Sequence, residues 1–320
     1  MVDRLLEDGA AVRVLDNLST GSLGNLATAA ARNSRPHRGA ANGSRLEVVI
    51  GDVRDRELLR KALRDVKYVF HLAVLPTDPA SITHPGEIHA VNVEGTLNVL
   101  HGALTEGVWR LVMGSSSAVY GAPQQIPVAE DTPLQATTLF GASKVAAETY
   151  CRAFHARHQL DVVTLRYFSI YGPRQKSTSS GVLIPGLVDA IKQGRLCIQD
   201  DERSAEDFAY IDDAVAATLA AARAPRAAGA VINVGSGQMT PISDVLRILA
   251  DLLQTSVSPV FATTMDAETR RMCASIERAA EVLDFKPRVS LIAGLARLVR
   301  SMSEVEQYER HALAPAGGDD

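Results

Sequence analysis

Short runs of apolar and β-branched residues alternate along the chain with longer segments whose apolar residues recur every three or four positions. Five runs predict buried strands, at residues 10–16, 46–52, 68–74, 110–117 and 161–168. The helical spacing lies between them, at residues 55–66, 87–107 and 140–159. Buried strands that alternate with helices are typical of a parallel, doubly wound α/β sheet.

The alternation loosens after about residue 170. The second half predicts a helix around "VLIPGLVDAIKQG", a strand that runs into a helix at "DFAYIDDAVAATLAAARA", and a strand at "VINVGSG". Three more helices are predicted near residues 241–253, 275–283 and 291–309. We predict a first domain over residues 1–168, with a return segment near 207–236, and a smaller interleaved domain over 169–320.

Composition and charge narrow the classes of partner. The 320 residues include 33 Lys and Arg against 37 Asp and Glu, a net charge of −4, so no basic surface for nucleic acid is expected. No apolar run reaches the length of a membrane span, and no signal peptide is recognised. The three cysteines have neither disulfide nor metal spacing, which indicates a cytoplasmic protein without a bound metal.

Nine short motifs follow one another in a fixed order. They are "VLDNLSTG" (14–21), "GDVRD" (51–55), "HLA" (71–73), "VNVEGTLNVL" (91–100), "SSSAVYG" (115–121), "GASK" (141–144), "LRYFSIYGPRQ" (165–175), "YIDD" (210–213) and "NVGSG" (233–237). The ordered set resembles the NAD-dependent epimerase/dehydratase family of extended short-chain dehydrogenases/reductases, nearest to UDP-hexose and UDP-N-acetylhexosamine 4-epimerases. The resemblance implies a Rossmann-type sheet, a UDP-sugar substrate and a homodimer.

The resemblance also implies where NAD would bind. Asp16, at a strand end, would accept hydrogen bonds from both ribose hydroxyls and repel the 2′-phosphate of NADP, although an Asp there could simply cap a turn. Asp52 and Val53 would hold the adenine. The remaining implied cofactor residues are Asn17, Leu72, Ala73 and Lys144. His71 is interpreted as a packed core residue rather than a catalyst.

The implied catalytic residues depart from the family pattern at one position. Ser116 would bind a sugar oxygen, with Ser117 beside it in the substrate site, although serines at a strand end are also common turn formers. Lys144 would bind the ribose and lower the pKa of a tyrosine one helical turn earlier. The sequence has Phe140 at that position, so the general base is missing. Asn92 is interpreted as structural.

A second departure lies at the amino end. The family's glycine-rich turn, which holds the pyrophosphate at a helix amino terminus, has no counterpart here, and "MVDRLLEDG" resembles the end of the helix that follows it. The first strand, in the middle of the family's sheet, is missing as well. We expect either a start codon placed too late or a decayed copy, and we expect the chain as given to bind NAD weakly.

A third group of departures concerns the substrate. Glu206 stands where the family has an arginine that meets the nucleotide diphosphate, and Ala80 and Met265 also replace family arginines. Arg270 or Arg271 is an alternative for the last of these. In the same motifs Ser169 replaces an asparagine, whereas Arg174 is retained.

Two functional hypotheses follow from these resemblances and departures. The first is a UDP-sugar 4-epimerase that oxidises C4 transiently with NAD, with its activity in doubt. The second is a catalytically inactive homologue with a binding or regulatory role. A 4,6-dehydratase is disfavoured because Ser117 and Ala118 stand where its acid pair would be, whereas a related decarboxylase stays compatible with the motifs.

Overall fold

The computed structural model describes residues 1–32, 45–76, 85–175, 184–194, 197–198, 203–256, 260–261 and 271–312. Its strands are β1 (Val12–Asp16), β2 (Leu46–Ile50), β3 (Tyr68–His71), β4 (Arg110–Ser116), β5 (Val162–Tyr167), β6 (Ser169–Tyr171), β7 (Cys197–Ile198), β8 (Ala205–Tyr210), β9 (Val231–Val234), β10 (Met239–Pro241) and β11 (Val260–Phe261). Its α-helices are α1 (Val2–Glu7), α2 (Ala27–Arg32), α3 (Arg56–Leu63), α4 (Pro85–His89), α5 (Gly95–Thr105), α6 (Leu139–His158), α7 (Ile184–Lys192), α8 (Ile211–Arg223), α9 (Ile242–Leu252), α10 (Glu277–Leu283) and α11 (Leu291–Ala312).

The predicted α/β class is confirmed, because strands β1 to β5 alternate with helices and the paired strands of the first half are parallel. Within the described residues, the strands that were expected to form one continuous sheet are divided into two parts. One part has two strands, β1 and β2, and the other has four in the order β3-β4-β5-β9. Each of the five strands predicted in the first half forms where its apolar run lies.

The chain divides into two units. The first contains residues 1–119, 136–165 and 221–231, and the second contains residues 120–135, 166–220 and 232–320. This division follows internal contacts, and the domain boundary expected at residue 168 stays a prediction.

In the first unit, helices α3, α5 and α6 cover the strands with a continuous apolar core. Leu100 and Ala103 of α5, Leu111 of β4 and Ala147 of α6 are fully buried in it. A π-helical turn at Ala90–Glu94 joins α4 to α5. The core therefore fixes α6 against β4, which sets the position of the side chains at the start of that helix.

The second unit is built around β8, which pairs with β10 in antiparallel and with β6 in parallel orientation. Its core combines aromatic residues of these strands with leucine and isoleucine residues of the carboxyl-terminal helices. Tyr171 and Phe208 pack edge to face at 6.5 Å between ring centroids, next to Leu246 and Leu295.

Neither membrane segments nor metal clusters are found in the described part of the chain. No helix there is long and apolar enough to cross a membrane. No group of three or more His, Cys, Asp or Glu side chains in those residues could hold a metal ion.

Candidate active site

The first unit contains a cavity of about 480 Å³ that reaches the carboxyl ends of β1, β2 and β3. Six of the seven residues that the sequence assigns to the cofactor line it, namely Asp16, Asn17, Asp52, Val53, Leu72 and Ala73. The seventh, Lys144, does not line the cavity. Ligands of open α/β sheets bind at the carboxyl ends of parallel strands, so the cavity has the expected place for a nucleotide.

Asp16 ends β1 and lies partly exposed at the cavity wall. Its Oδ1 accepts the N–H of Leu18 at 2.7 Å, so the carboxylate does cap the turn, as the alternative interpretation held. A Cβ added at Gly21 would lie 3.1 Å from Oδ2, so a glycine lets the following loop approach the carboxylate. A carboxylate offers about four lone-pair sites. Capping therefore leaves Asp16 able to accept hydrogen bonds from a pair of hydroxyl groups.

Asp52 accepts several hydrogen bonds from neighbouring residues. It accepts hydrogen bonds from the N–H and side chain of Arg54 at 2.7 to 2.9 Å and from Nδ2 of Asn17 at 2.9 Å. The Arg54 guanidinium holds the pKa of this carboxyl well below its usual range. An adenine amine at this position would have to share a carboxylate that already accepts four hydrogen bonds.

Lys144 is buried, which is unusual for a helix lysine. The residue lies in the second turn of α6, and Thr138 caps this helix by accepting the N–H of Gly141 at 3.0 Å. Nζ donates to the carbonyl of Gly114 in β4 at 2.7 Å, and the residue is 6% exposed. Burial lowers the pKa of the Lys144 amine to about 8. A cation is thus held in a low-dielectric position beside β4.

Ser116 lies at the end of β4 and Phe140 in the first turn of α6, and these two segments approach each other at Gly141. A Cβ at Gly141 would lie 2.5 Å from the Ala118 carbonyl oxygen, so only glycine lets α6 approach the end of β4 this closely. Ser116 is partly buried, and its Oγ accepts the N–H of Ala118 at 3.2 Å. The Phe140 ring centroid lies 5.8 Å from Lys144 Nζ. The position predicted for a general base therefore carries a ring beside a cation, without an ionisable group.

Asn92 has the structural role that the sequence predicts. Its Oδ1 accepts the N–H of Leu75 at 2.8 Å, and its Nδ2 donates to the Leu75 carbonyl at 3.0 Å and to Ser143 Oγ at 3.0 Å. Ser143 Oγ in turn donates to the Phe140 carbonyl at 2.7 Å. One buried amide thus ties the segment after β3 to the first turns of α6.

His71 is a core residue, as predicted. It is 5% exposed, and its Nε2 lies 2.9 Å from Thr96 Oγ1. The Thr96 hydroxyl donates to the Asn92 carbonyl at 2.6 Å, so His71 Nε2 carries the ring proton and donates. Burial, assisted by the charge of Lys144, lowers the pKa of His71 to about 3.

The low pKa of His71 predicts a pH dependence of stability. The unfolded chain binds a proton at His71 below about pH 6.5 and the folded chain binds it only near pH 3, so the free energy of unfolding should fall as pH falls between these values. Urea unfolding of wild type and His71→Gln at pH 7.0 and 5.0 measures this, and the variant should lose less stability. His101→Gln, at an exposed position of α5, is the control. Equal pH dependence in all three would contradict the assignment.

The substrate residues predicted beyond residue 165 belong to the second unit. Ser169 Oγ of β6 donates a short hydrogen bond to Glu206 of β8. Arg174 is exposed in a turn with a φ of 70°. Arg271 is exposed beside Ala205, with which it forms an isolated parallel bridge. Ala80, Met265 and Arg270 lie outside the described residues.

Sequence reasoning missed the residues that surround these positions. Glu148 is fully buried and accepts a hydrogen bond from Ser115 at 2.6 Å. Its spacing of four residues after Lys144 was the available signal, because residues i and i+4 share a helix face. Arg54 was also missed, although it lies within a recognised motif, "GDVRD".

Known proteins place these features in a family. The family model described as "NAD dependent epimerase/dehydratase family" matches residues 1–235 of this chain. The chain belongs to the NAD-dependent epimerase/dehydratase family. The family prediction made from the motifs is therefore confirmed, and with it the use of NAD as the family cofactor.

Three relatives of this family member are informative. A UDP-glucose 4-epimerase of Mycolicibacterium smegmatis is 32% identical over 303 residues, 93% of each chain. The UDP-glucose 4-epimerase of Thermotoga maritima, solved with UDP-glucose, has a TM-score of 0.85 at 26% identity, with 95% of this chain and 94% of that chain covered. A tyrosine-to-phenylalanine mutant of the Bacillus cereus UDP-glucuronic acid 4-epimerase, solved with UDP-4-deoxy-4-fluoro-glucuronic acid and NAD, has a TM-score of 0.83 at 26% identity over 95% of both chains. The neighbours confirm the Rossmann-type fold.

The chain's own residues fit one part of a dinucleotide. The cavity at Asp16 is large enough for a nucleotide, and its wall combines one carboxylate at a strand end with the small side chain of Ala73. Lys144 adds a buried cation at the end of β4. The residues at the cavity suit the adenosine half of NAD.

Proposed function

We propose that this family member is an NAD-dependent 4-epimerase of a UDP-sugar that acts by transient oxidation at C4. The observation that carries the proposal is the joint placement of Ser116, Phe140 and buried Lys144 at the contact between β4 and α6. NAD, when bound, supplies the hydride acceptor. The relatives named UDP-glucose 4-epimerase support this choice within the family.

Each residue of the first unit has a defined task in this proposal. Asp16 accepts the adenosine ribose hydroxyls and thereby selects NAD over NADP. Lys144 binds a ribose hydroxyl and stabilises negative charge that develops beside it. Ser116 hydrogen-bonds the sugar oxygen that loses its proton. Because Phe140 cannot accept that proton, the proton passes to water, either directly or through the Ser116 hydroxyl, which releases its own proton to water as it accepts the new one, and the reaction is slow.

The resemblance to the family supports two further proposed contacts with the nucleotide. Arg174 supplies a cation for the diphosphate, and Ser169 a hydroxyl. Glu206, which accepts the Ser169 hydrogen bond, opposes a diphosphate electrostatically. Two like charges about 4 Å apart repel by about 4 kcal/mol at an effective dielectric constant of 20. The proposal therefore includes weak binding of UDP-sugars relative to a family member with an arginine at position 206.

Phe140 favours a second candidate, a catalytically inactive homologue that binds NAD and a nucleotide sugar. The Bacillus cereus mutant, with phenylalanine in place of a tyrosine, was solved with NAD and a UDP-sugar analogue, so such a substitution is compatible with binding in that relative. In either candidate we propose a homodimer formed through the helices that begin near residues 86 and 139.

Proton NMR of the anomeric signals distinguishes the two candidates. Three samples each contain the chain and NAD. The first also contains UDP-glucose, the second UDP-N-acetylglucosamine and the third UDP-glucuronate. The 4-epimerase proposal expects one of them to convert slowly to its C4 epimer, and Ser116→Ala to abolish the conversion. Binding of NAD and of a UDP-sugar without any conversion by wild type or by Phe140→Tyr would instead establish the inactive homologue.

A further inference from the structure

Glu148 is a fully buried acidic residue of the first unit, and the reaction proposed above does not use it. It lies on α6 four residues after Lys144. Residues with this spacing share one face of a helix, with their Cβ atoms about 5 to 6 Å apart. A buried carboxylate is costly unless hydrogen bonds and an opposite charge compensate it, so the groups around Glu148 indicate its role.

Two hydrogen bonds join this face of α6 to consecutive residues of β4. Lys144 Nζ donates to the Gly114 carbonyl at 2.7 Å, and Ser115 Oγ donates to Glu148 Oε1 at 2.6 Å. The second separation is typical of a hydroxyl that donates to an ionised carboxylate. Because Gly114 and Ser115 are adjacent, the two bonds hold Lys144 and Glu148 in the same part of the contact between helix and strand.

The charge of Glu148 acts on Lys144 in the direction opposite to burial. Burial lowers the pKa of the Lys144 amine to about 8, whereas negative charge on Cys151 or Glu148 raises it. Burial also raises the pKa of the Cys151 thiol to about 12, so this thiol is neutral in the range where Lys144 titrates. A neutral thiol does not attract an ammonium group as an anion does, so the attraction at neutral pH comes from Glu148.

The groups that approach Lys144 from the strands do not replace Glu148. His71 of β3 is neutral at pH 7, because burial, assisted by the charge of Lys144, lowers its pKa to about 3. The contacts from β4 come from the Gly114 carbonyl and the Ser115 hydroxyl, which carry no net charge. Among the titratable groups that act on Lys144 in the described part of the chain, this leaves Glu148 as the source of negative charge.

We propose that Glu148 is a positioning residue that anchors the buried Lys144 side chain on this face of α6 and keeps its amine protonated at neutral pH. A protonated amine has three N–H donors, so the bond to the Gly114 carbonyl leaves two for other partners such as a ribose hydroxyl. Its charge also stabilises negative charge that develops beside it, which a neutral amine does not. The task of Lys144 toward NAD rests on the proposed function, whereas its protonation by Glu148 is a property of the chain alone.

Titration of Lys144 in the chain without NAD tests this role. The sequence has six lysines, so ¹³C labelling of the lysine ε-carbon gives few NMR signals, and the Lys144 signal is the one absent from Lys144→Met. Its midpoint should be about 8 in wild type. Glu148→Gln should lower the midpoint by at least about one pH unit, because opposite charges about 6 Å apart attract strongly enough at an effective dielectric constant of 20.

A matched control separates the charge of Glu148 from the packing of α6. Cys151→Ser exchanges one neutral buried side chain of α6 for another of similar size, and it should leave the Lys144 midpoint unchanged within about 0.3 pH units. An unchanged midpoint in Glu148→Gln, or an equal fall in Cys151→Ser, would overturn the proposal. A chain that converts no UDP-sugar can still show the lowered midpoint, so this inference and the proposed function fail separately.

A measurement on wild type decides the question if Glu148→Gln does not fold. With ¹³C-labelled glutamate carboxyl groups, one signal should move with a midpoint of about 8 as Lys144 loses its proton. In Lys144→Met no glutamate signal should move with that midpoint. Absence of such a movement in wild type, or its persistence in Lys144→Met, would overturn the proposal.

Discussion

Phe140→Tyr is expected to raise the rate of C4 epimerisation about 10² to 10⁴-fold, the usual contribution of general acid–base catalysis. The new hydroxyl would extend from a ring that already lies 5.8 Å from Lys144 Nζ. A nearby cation lowers the pKa of a tyrosine and so favours the phenolate that removes a proton. The measurement is kcat by NMR at saturating NAD, with the UDP-sugar that the wild-type chain converts fastest.

A matched control separates the effect of the new base on kcat from the effect of merely adding a phenol group. Leu139 is the neighbouring residue of the helix and is 44% exposed, so Leu139→Tyr adds a hydroxyl on a different helix face from Phe140. Its kcat should equal the wild-type value within about twofold. A folded Phe140→Tyr protein with no gain on any UDP-sugar would show that the missing base is not the obstacle to turnover.

Lys144→Met is expected to make the protein more stable and to remove its NAD-dependent activity. The difference between the ordinary pKa of 10.5 and about 8 corresponds to a cost of about 3 kcal/mol for the buried charge at neutral pH. Loss of the hydrogen bond to the Gly114 carbonyl offsets about 1 kcal/mol of the gain. The free energy of unfolding at pH 7 should therefore rise by about 2 kcal/mol.

The pH dependence of the gain in stability of Lys144→Met shows whether the buried charge causes it. Between about pH 8 and 10.5 the unfolded chain holds a proton on Lys144 that the folded chain has lost, so wild-type stability rises with pH in this window. The advantage of Lys144→Met should shrink between pH 8 and 10, as measured by urea unfolding. Lys61→Met, at an exposed lysine of α3, should change stability by less than about 0.5 kcal/mol. A variant less stable than wild type at pH 7 would contradict the account.

The sequence predicted the elements of the fold and the ancestry of the site because both depend on local patterns. Apolar periodicity located β1 to β5, and the motif "GASK" located Lys144. The predicted core roles of His71 and Asn92 are confirmed by their buried hydrogen bonds.

Contacts between distant segments could not be predicted in the same way. One such contact is the buried hydrogen bond that Ser115 donates to Glu148, and another is the hydrogen bond that Asn17 donates to Asp52. Both depend on how strands and helices pack together. The strand register likewise shows, as the sequence alone cannot, that the backbone groups of Arg13 and Leu15 point away from β2.

Binding of nicotinamide dinucleotides tests the central claim, that the cavity at Asp16 is the cofactor site of an NAD-dependent enzyme. Saturation-transfer NMR detects weak ligands, and it should show saturable binding of NAD to the wild-type chain. NADP should bind at least about tenfold more weakly, because the Asp16 carboxylate repels its 2′-phosphate. Asp16→Asn should remove most of that preference. Absence of saturable NAD binding, or equal binding of NAD and NADP to wild type, would contradict the account.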